Sequence, residues 1–152
     1  MATLDEVRLE LDKDELDYPA LASELGEEAL PHLEALVAED EPRIASKAAY
    51  LAGVIAGSTS GQVVELAAHS RHDVVRVSAA AAVTSLPADQ ATGITERLLA
   101  DSDIGVRARA AKSAVELGNP ALADRVRRMA EEDEEPSVRE LASGLADRLP
   151  PG

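Results

Sequence analysis

Four short stretches of this chain recur at a nearly constant interval: Ile44-Ala45, Val75-Arg76, Val106-Arg107 and Val138-Arg139 lie 31, 31 and 32 residues apart. The register extends beyond these pairs. Ala48-Ala49, Ala79-Ala80, Ala110-Ala111 and Ala142-Ser143 follow four residues on, and Ile55, Leu86, Leu117 and Leu149 follow eleven residues on. Upstream, Glu41, His72, Asp103 and Glu135 share one position. A period between about 20 and 50 residues marks a stacked array, because each unit has an apolar face that only a neighbour can cover.

Within residues 42–149 the apolar positions recur at helical spacing and break at Gly57-Ser58-Thr59-Ser60-Gly61, Leu86-Pro87, Gly118-Asn119-Pro120 and Leu149-Pro150. Each unit therefore holds two helices. The first, of about fourteen residues, starts near Glu41, His72, Asp103 or Glu135; the second covers roughly 60–70, 88–100 and 120–132. A half unit, Glu27 to Asp40, precedes them with Leu30, Leu33, Leu36 and Val37 at helical spacing. Residues 1–26 fit the register poorly and are expected to form an acidic cap, with a helix across 16–25 and a shorter one before it. The array is expected over 27–152, with cap and array forming a single domain. Its last helix, Pro136 to Leu149, either is polar enough to cap the stack or pairs with another copy.

Apolar residues make up 45% of the chain, yet Phe, Trp and Cys are absent and Tyr18 and Tyr50 are the only aromatics. The core must then be built from Ala, Leu, Val and Ile, a helical composition. The lack of cysteine removes disulfides, thiolate metal sites and thiol nucleophiles together, in keeping with a reducing cytoplasm. The acid-rich first residues hold no apolar run of the secretory type. The longest mostly apolar stretch, Ala48 to Gly57, is about half the ~20 residues that span a bilayer. A cytoplasmic protein with no membrane contact is expected.

The net charge of −14 is unevenly placed: residues 1–41 hold fourteen carboxylates against Arg8 and Lys13, leaving −2 for the other 111 residues. Such an acidic end repels phosphate backbones, so no nucleic-acid partner is expected. It either attracts a basic partner or serves only to keep an alanine-rich array soluble.

Asp103-x-x-Val106-Arg107-x-x-Ala110-Ala111 and Glu135-x-x-Val138-Arg139-x-x-Ala142 resemble HEAT repeats, in particular the short bacterial type also found in phycobilisome lyases. The resemblance covers residues 27–150 and implies an all-α fold, a right-handed α-solenoid of about four two-helix repeats. It further implies a structural ladder of acids and arginines along the turns between repeats, which here falls to Asp103, Glu135, Arg76, Arg107 and Arg139. The first unit departs from it with Ala45 in place of Arg. Arrays of this family are mostly interaction scaffolds whose second helices line a concave surface.

One exposed position of the second helices reads Glu34, Glu65, Glu96 and Arg128, and Gln62 and Arg125 fall in the neighbouring row. With packed helices about 8–10 Å apart, the row would run roughly 25–30 Å, acidic over three repeats and basic where Arg125, Arg127 and Arg128 cluster. These residues either bind an elongated partner or occupy the solvated stripe of amphipathic helices. Lys47, Tyr50, Arg109 and Lys112 are expected on the opposite, outer face.

Chemical motifs are weak. His69, His72 and Asp73 form the only local cluster of metal-ligating type, but His69 ends one helix and His72 begins the next, so no metal site is assigned. Asp101-Ser102-Asp103-Ile104-Gly105 fails as a calcium loop because Gly105 comes one place early and Lys112 stands where the bidentate Glu belongs. Asp103 reads as a helix cap, and so does Ser60. No nucleophile, base and acid set is discernible.

The expected function is a non-catalytic protein-protein interaction scaffold or adaptor, without cofactor, that binds a basic or amphipathic segment and possesses a C-terminal helix able to form a homodimer. The alternative implied by the repeat type is a lyase- or isomerase-type enzyme, or accessory factor, acting on a bound chromophore or cofactor.

Overall fold

The structure is a computed structural model that describes residues 1–151; Gly152, the last residue of the expected array, lies outside them. Among the described residues there are ten α-helices, two 3₁₀ turns and no strand. Two helices come first, α1 (Leu4–Leu11) and α2 (Tyr18–Leu25). Four pairs follow: α3 (Leu30–Ala38) with α4 (Pro42–Ile55), α5 (Ser60–Ala68) with α6 (Asp73–Ala82), α7 (Ala88–Leu99) with α8 (Ile104–Leu117), and α9 (Pro120–Glu132) with α10 (Pro136–Ala146). No described helix is long and apolar enough to cross a membrane.

Local chemistry explains the boundaries. Thr3, Asp17, Asp103 and Asn119 each accept a first-turn backbone N–H at a helix start, satisfying donors the helix leaves open. Pro42, Pro120 and Pro136 occupy first turns, where a missing N–H costs nothing. At the far end of α8 the chain turns through Gly118 with φ +69°. The equivalent turn after α4 forces Ala56 to φ +53°, a strain of about 1 kcal/mol for a residue with a Cβ. Helix α6 is shorter than its equivalents because Pro87 holds Leu86 extended, so the chain tightens into a 3₁₀ turn at Val83–Ser85 and stops.

The first helices α4, α6, α8 and α10 lie side by side in one layer and the second helices α3, α5, α7 and α9 in another, enclosing one hydrophobic core that runs from Val7 to Leu145. The first layer is the more closely packed, as its small residues dictate. Ala48, Ala49, Ala79, Ala80, Ala110 and Ala111 are fully buried in it. A Cβ on Gly53 would lie only 2.9 Å from both the Cβ and the carbonyl oxygen of Ala82 in the next unit. One unit further along, the buried Ser113 hydroxyl donates to the Ala80 carbonyl at 2.6 Å.

The N-terminal helices occupy the place of a preceding unit. Helix α2 packs on α4 and α1 spans α3 and α4, burying Val7, Leu11 and Leu21. Lys47 and Tyr50, expected on the outer face, are taken up by this contact: Lys47 Nζ donates to the carbonyls of Leu11 and Lys13, and the Tyr50 ring meets Tyr18 edge-on at 4.8 Å. Burial of the Tyr18 hydroxyl, with Tyr50 beside it, pushes its pKa up. Arg8 grips both carboxylate oxygens of Glu39 at 2.6 and 2.8 Å, and Arg43 pairs with Asp12 at 2.6 Å.

Candidate functional site

Two surfaces gather the polar side chains: the turns between units and the exposed face of the second helices. In the turns, Ser70, Asp101 and Asp133 occupy one repeat position. Each accepts the backbone N–H two residues on, Ser70 Oγ from His72, Asp101 Oδ1 from Asp103 and Asp133 Oδ1 from Glu135, at 3.1, 2.9 and 3.0 Å. Arg76 and Arg107 then clamp in two directions. Their Nη1 atoms donate back to the carbonyls of Ser70 and Asp101, both at 2.9 Å. Their Nε and Nη2 atoms reach forward to both oxygens of the next unit's carboxylate, Asp101 for Arg76 and Asp133 for Arg107, at 2.9–3.2 Å. Arg139 keeps the backward bond, Nη1 to the Asp133 carbonyl at 2.6 Å, and no ion pair engages it among the described residues.

The ladder therefore uses different acids from those expected. Asp103 does not meet a guanidinium, because its carboxylate caps its own helix by accepting the Val106 N–H at 3.0 Å. Glu135 accepts the Ser137 hydroxyl instead. The residue two places earlier lies in the turn and projects across the joint. In the first unit Ala45 replaces the arginine and Ser70 replaces the acid it would meet, so the rung is missing as a pair and no charge is stranded.

The pair in the last joint is the more enclosed: Arg107 and Asp133 expose 8% and 7% of their side chains, against 16% and 11% for Arg76 and Asp101. Burial pushes the Asp133 carboxyl up, but the Arg107 and Glu135 hydrogen bonds and the charges of Arg107 and Arg139 outweigh it and hold it below the ordinary carboxylate range. The same hydrogen bond raises Arg107.

On the second-helix face, Glu34, Gln62, Glu96 and Arg128 are exposed, whereas Glu65 and Arg125 are half-buried. The three glutamates are not an uninterrupted acidic row. Arg97 of α7 crosses to Glu65 at 2.6 Å and donates to His69 Nε2 at 2.9 Å. His69 Nδ1 lies 3.0 Å from the Glu65 carbonyl, so the proton resides on Nδ1 and the other nitrogen accepts. Between α5 and α7 lies an open cleft of 370 Å³ lined by Gln62, Glu65, Asp89, Gln90, Gly93 and Arg97. Sequence reasoning missed Arg97, although it sits one place past Glu96, the repeat equivalent of Glu65.

The expected basic cluster is split. Arg125 and Arg128 share a cleft with Met129 and Glu132, while Arg127 turns away to pair with Asp124 at 2.9 Å and to donate to the Pro150 carbonyl. His69 and His72 line one cleft with Asp40 but share no partner among the described residues: His72 Nε2 contacts Asp40 at 2.6 Å, whereas His69 meets the Glu65 carbonyl and Arg97. Hydrogen bonds from Arg71 and then His72 hold the Asp40 carboxyl below its usual range. Ser60 is not a helix cap; it is buried and its hydroxyl accepts the Gly57 N–H at 2.9 Å, fastening the preceding turn.

The family profile described as HEAT repeats matches residues 62–146, more than half of the chain. The chain belongs to the HEAT-repeat family. Among solved structures, this HEAT-repeat protein is similar to a chain of the complex of CpcE and CpcF of phycocyanin lyase from Nostoc sp. PCC7120, with a TM-score of 0.71 and 19% identity over 84% of this chain and 85% of that one. At that identity the likeness is one of fold, an α-solenoid. No curated protein matches the chain. The HEAT match begins at Gln62, yet Ile44, Ala48 and Ala49 of α4 are buried at the positions of Val75, Ala79 and Ala80 of α6, so the repeat packing starts earlier than the family profile.

Proposed function

We propose that this HEAT-repeat chain is a non-catalytic scaffold or adaptor that binds a partner protein along the concave face of its second helices, with Glu34, Gln62, Glu65, Glu96, Arg125 and Arg128 as the contact row. The observation that carries this reading is the contrast between the two layers. In the first layer, small residues and buried clamps are spent on joining units, whereas Glu34, Gln62, Glu96 and Arg128 stand exposed on α3, α5, α7 and α9 with no hydrogen bond or ion pair among the described residues. Arg97 divides the row, so its free acids are Glu34 and Glu96 and its free bases are the half-buried Arg125 and exposed Arg128. An elongated basic or amphipathic segment would meet the acids at the α3–α7 end. That the similar solved structure is a complex of two chains supports partner binding as a use of this fold.

The test is affinity capture by wild-type protein and by the Glu34→Lys, Glu96→Lys double variant, followed by cross-linking of the captured partner. Both substitutions are exposed, so the helical circular dichroism should persist while capture falls. Capture at wild-type level with cross-links on other helices would refute the contact row.

A second reading, a lyase-related accessory factor or lyase/isomerase-type enzyme, is favoured by the likeness to the phycocyanin lyase complex. It expects a bound chromophore or cofactor, visible as absorption above the protein band in the purified chain.

A further inference from the structure

In α10 the side chains that face the next unit elsewhere in the array form a self-complementary pattern. Direction is fixed by contacts upstream. Arg76 and Arg107 reach forward, Ala80 offers its carbonyl to Ser113 of the following unit, and Gly53 touches Ala82 of the following unit. The same three repeat positions in the last unit are Arg139 and Ser143 of α10 and Asp147 at its C-terminal cap. Ala49, Ala80 and Ala111 are fully covered at the Ser143 position, whereas Ser143 and Asp147 are exposed. Among the described residues after α10, Leu149, Pro150 and Pro151 leave this face open: they line a cavity with α8 and α9, held there by the Arg127 bond to the Pro150 carbonyl.

Arg139 and Asp147 lie four residues either side of Ser143, about 6 Å along the helix in each direction, and on one face. An antiparallel copy of α10 centred on Ser143 therefore presents Asp147 to Arg139 and Arg139 to Asp147. Small Ser143 at the centre lets the axes approach to about 8 Å. The guanidinium already has its Nη1 committed to the Asp133 carbonyl, and Arg76 and Arg107, held in the same way, each take a carboxylate on the remaining edge.

We propose that α10 is a two-fold docking helix, through which two copies of this chain meet with Ser143 at the axis and Arg139 of each copy paired with the partner's Asp147. The contact is independent of the second-helix row, so the two can fail separately. Because every contact is made twice about a two-fold axis, each substitution acts twice. A single helix of this length gives an interface at the small end of the specific range, so association is expected in the micromolar region or weaker, about 10–500 µM.

The experiment is sedimentation velocity over that concentration range with the 152-residue chain, whose monomer mass is 15.9 kDa. The wild type should move toward twice that mass. Asp147→Arg, which removes no side-chain bond within the chain, should weaken dimerisation at least tenfold by setting arginine against arginine. Ser143→Arg should do the same by filling the axis. Combining Arg139→Asp with Asp147→Arg exchanges the pair but also removes the Arg139 bond to the Asp133 carbonyl, so it should restore the dimer only if its circular dichroism melt stays near wild type; a wild-type melt for Asp147→Arg keeps that single variant's result interpretable. A mass that stays monomeric throughout overturns the proposal and leaves the face to an unlike partner. A dimer indifferent to both Asp147→Arg and Ser143→Arg overturns it equally.

Discussion

Arg107 and Asp133 show what a single residue can carry in this fold. Both are nearly enclosed, so Arg107→Ala would strand the Asp133 carboxylate and should cost about 3 kcal/mol of unfolding free energy in urea titration. Arg97→Ala removes an ion pair of the same type from solvent-exposed surface, where screening is strong, and should cost less than about 1 kcal/mol. Equal losses would mean that enclosure does not set the value of these pairs. Thr95 is the opposite case, a fully buried hydroxyl with no hydrogen-bond partner. Its repeat equivalent in α5 is Val64, also fully buried, so Thr95→Val keeps the shape, removes the orphan and should stabilise the chain by about 1 kcal/mol. None of this was legible from residue type alone. The family resemblance pointed to Asp103 and Glu135 as ladder acids, but Asp103 spends its carboxylate on the Val106 N–H and Glu135 on the Ser137 hydroxyl, while the acids two places earlier, Asp101 and Asp133, face the arginines across the joint.

Elements were far more legible than residues. Helix starts follow from side chains whose chemistry acts locally, such as Asp17, Asp103 and Asn119, and helix ends from Pro87 and Gly118, so the two-helix unit could be read from spacing. What spacing could not convey is how near the helices approach, which depends on backbone meeting backbone across a joint. Two glycines inside helices separate these effects. Gly93 in α7 has open space where a Cβ would go, so Gly93→Ala should raise stability by about 0.5–1 kcal/mol through helix propensity alone. Gly53→Ala gains the same propensity but drives a Cβ into Ala82, and should lose about 2 kcal/mol overall. Thermal melts of the two variants should move in opposite directions; a shared direction would show that α4 and α6 can part without cost.

At the scale of the molecule, the uneven charge was plain in the composition but its disposition was not. Part of the acidic beginning is answered one unit away: Glu39 by Arg8, Asp12 by Arg43, and Asp40 by Arg71. Each of these pairs is 31 residues apart, the repeat length itself, so lateral pairing was readable in principle from opposite charges one period apart. The cap is tied to the array by the first two of these pairs and by buried Val7 and Leu11, and deleting residues 1–17 should lower the urea midpoint and let an apolar-surface dye bind. No change in dye fluorescence would mean that α3 and α4 close without the cap.

The missing rung at Ala45 and Ser70 leaves the molecule with joints of two chemical kinds. The seam between α4 and α6 is closed by methyl and methylene contact around Gly53, with the Asp40 carboxylate that Arg71 and His72 engage left largely exposed at its rim, whereas the seam beyond α8 is fastened by Asp133, an enclosed carboxylate that folding holds below its ordinary pKa. A group so depressed lends its stabilisation above the pKa it has when unfolded and forfeits it as pH falls through the folded value. Protons should accordingly loosen this chain at its last joint first, since solvent screens the more exposed Glu39 and Asp40 pairs. Amide exchange below the ordinary carboxylate range would quicken first in α9–α10, with α4 and α6 the last to surrender their hydrogens.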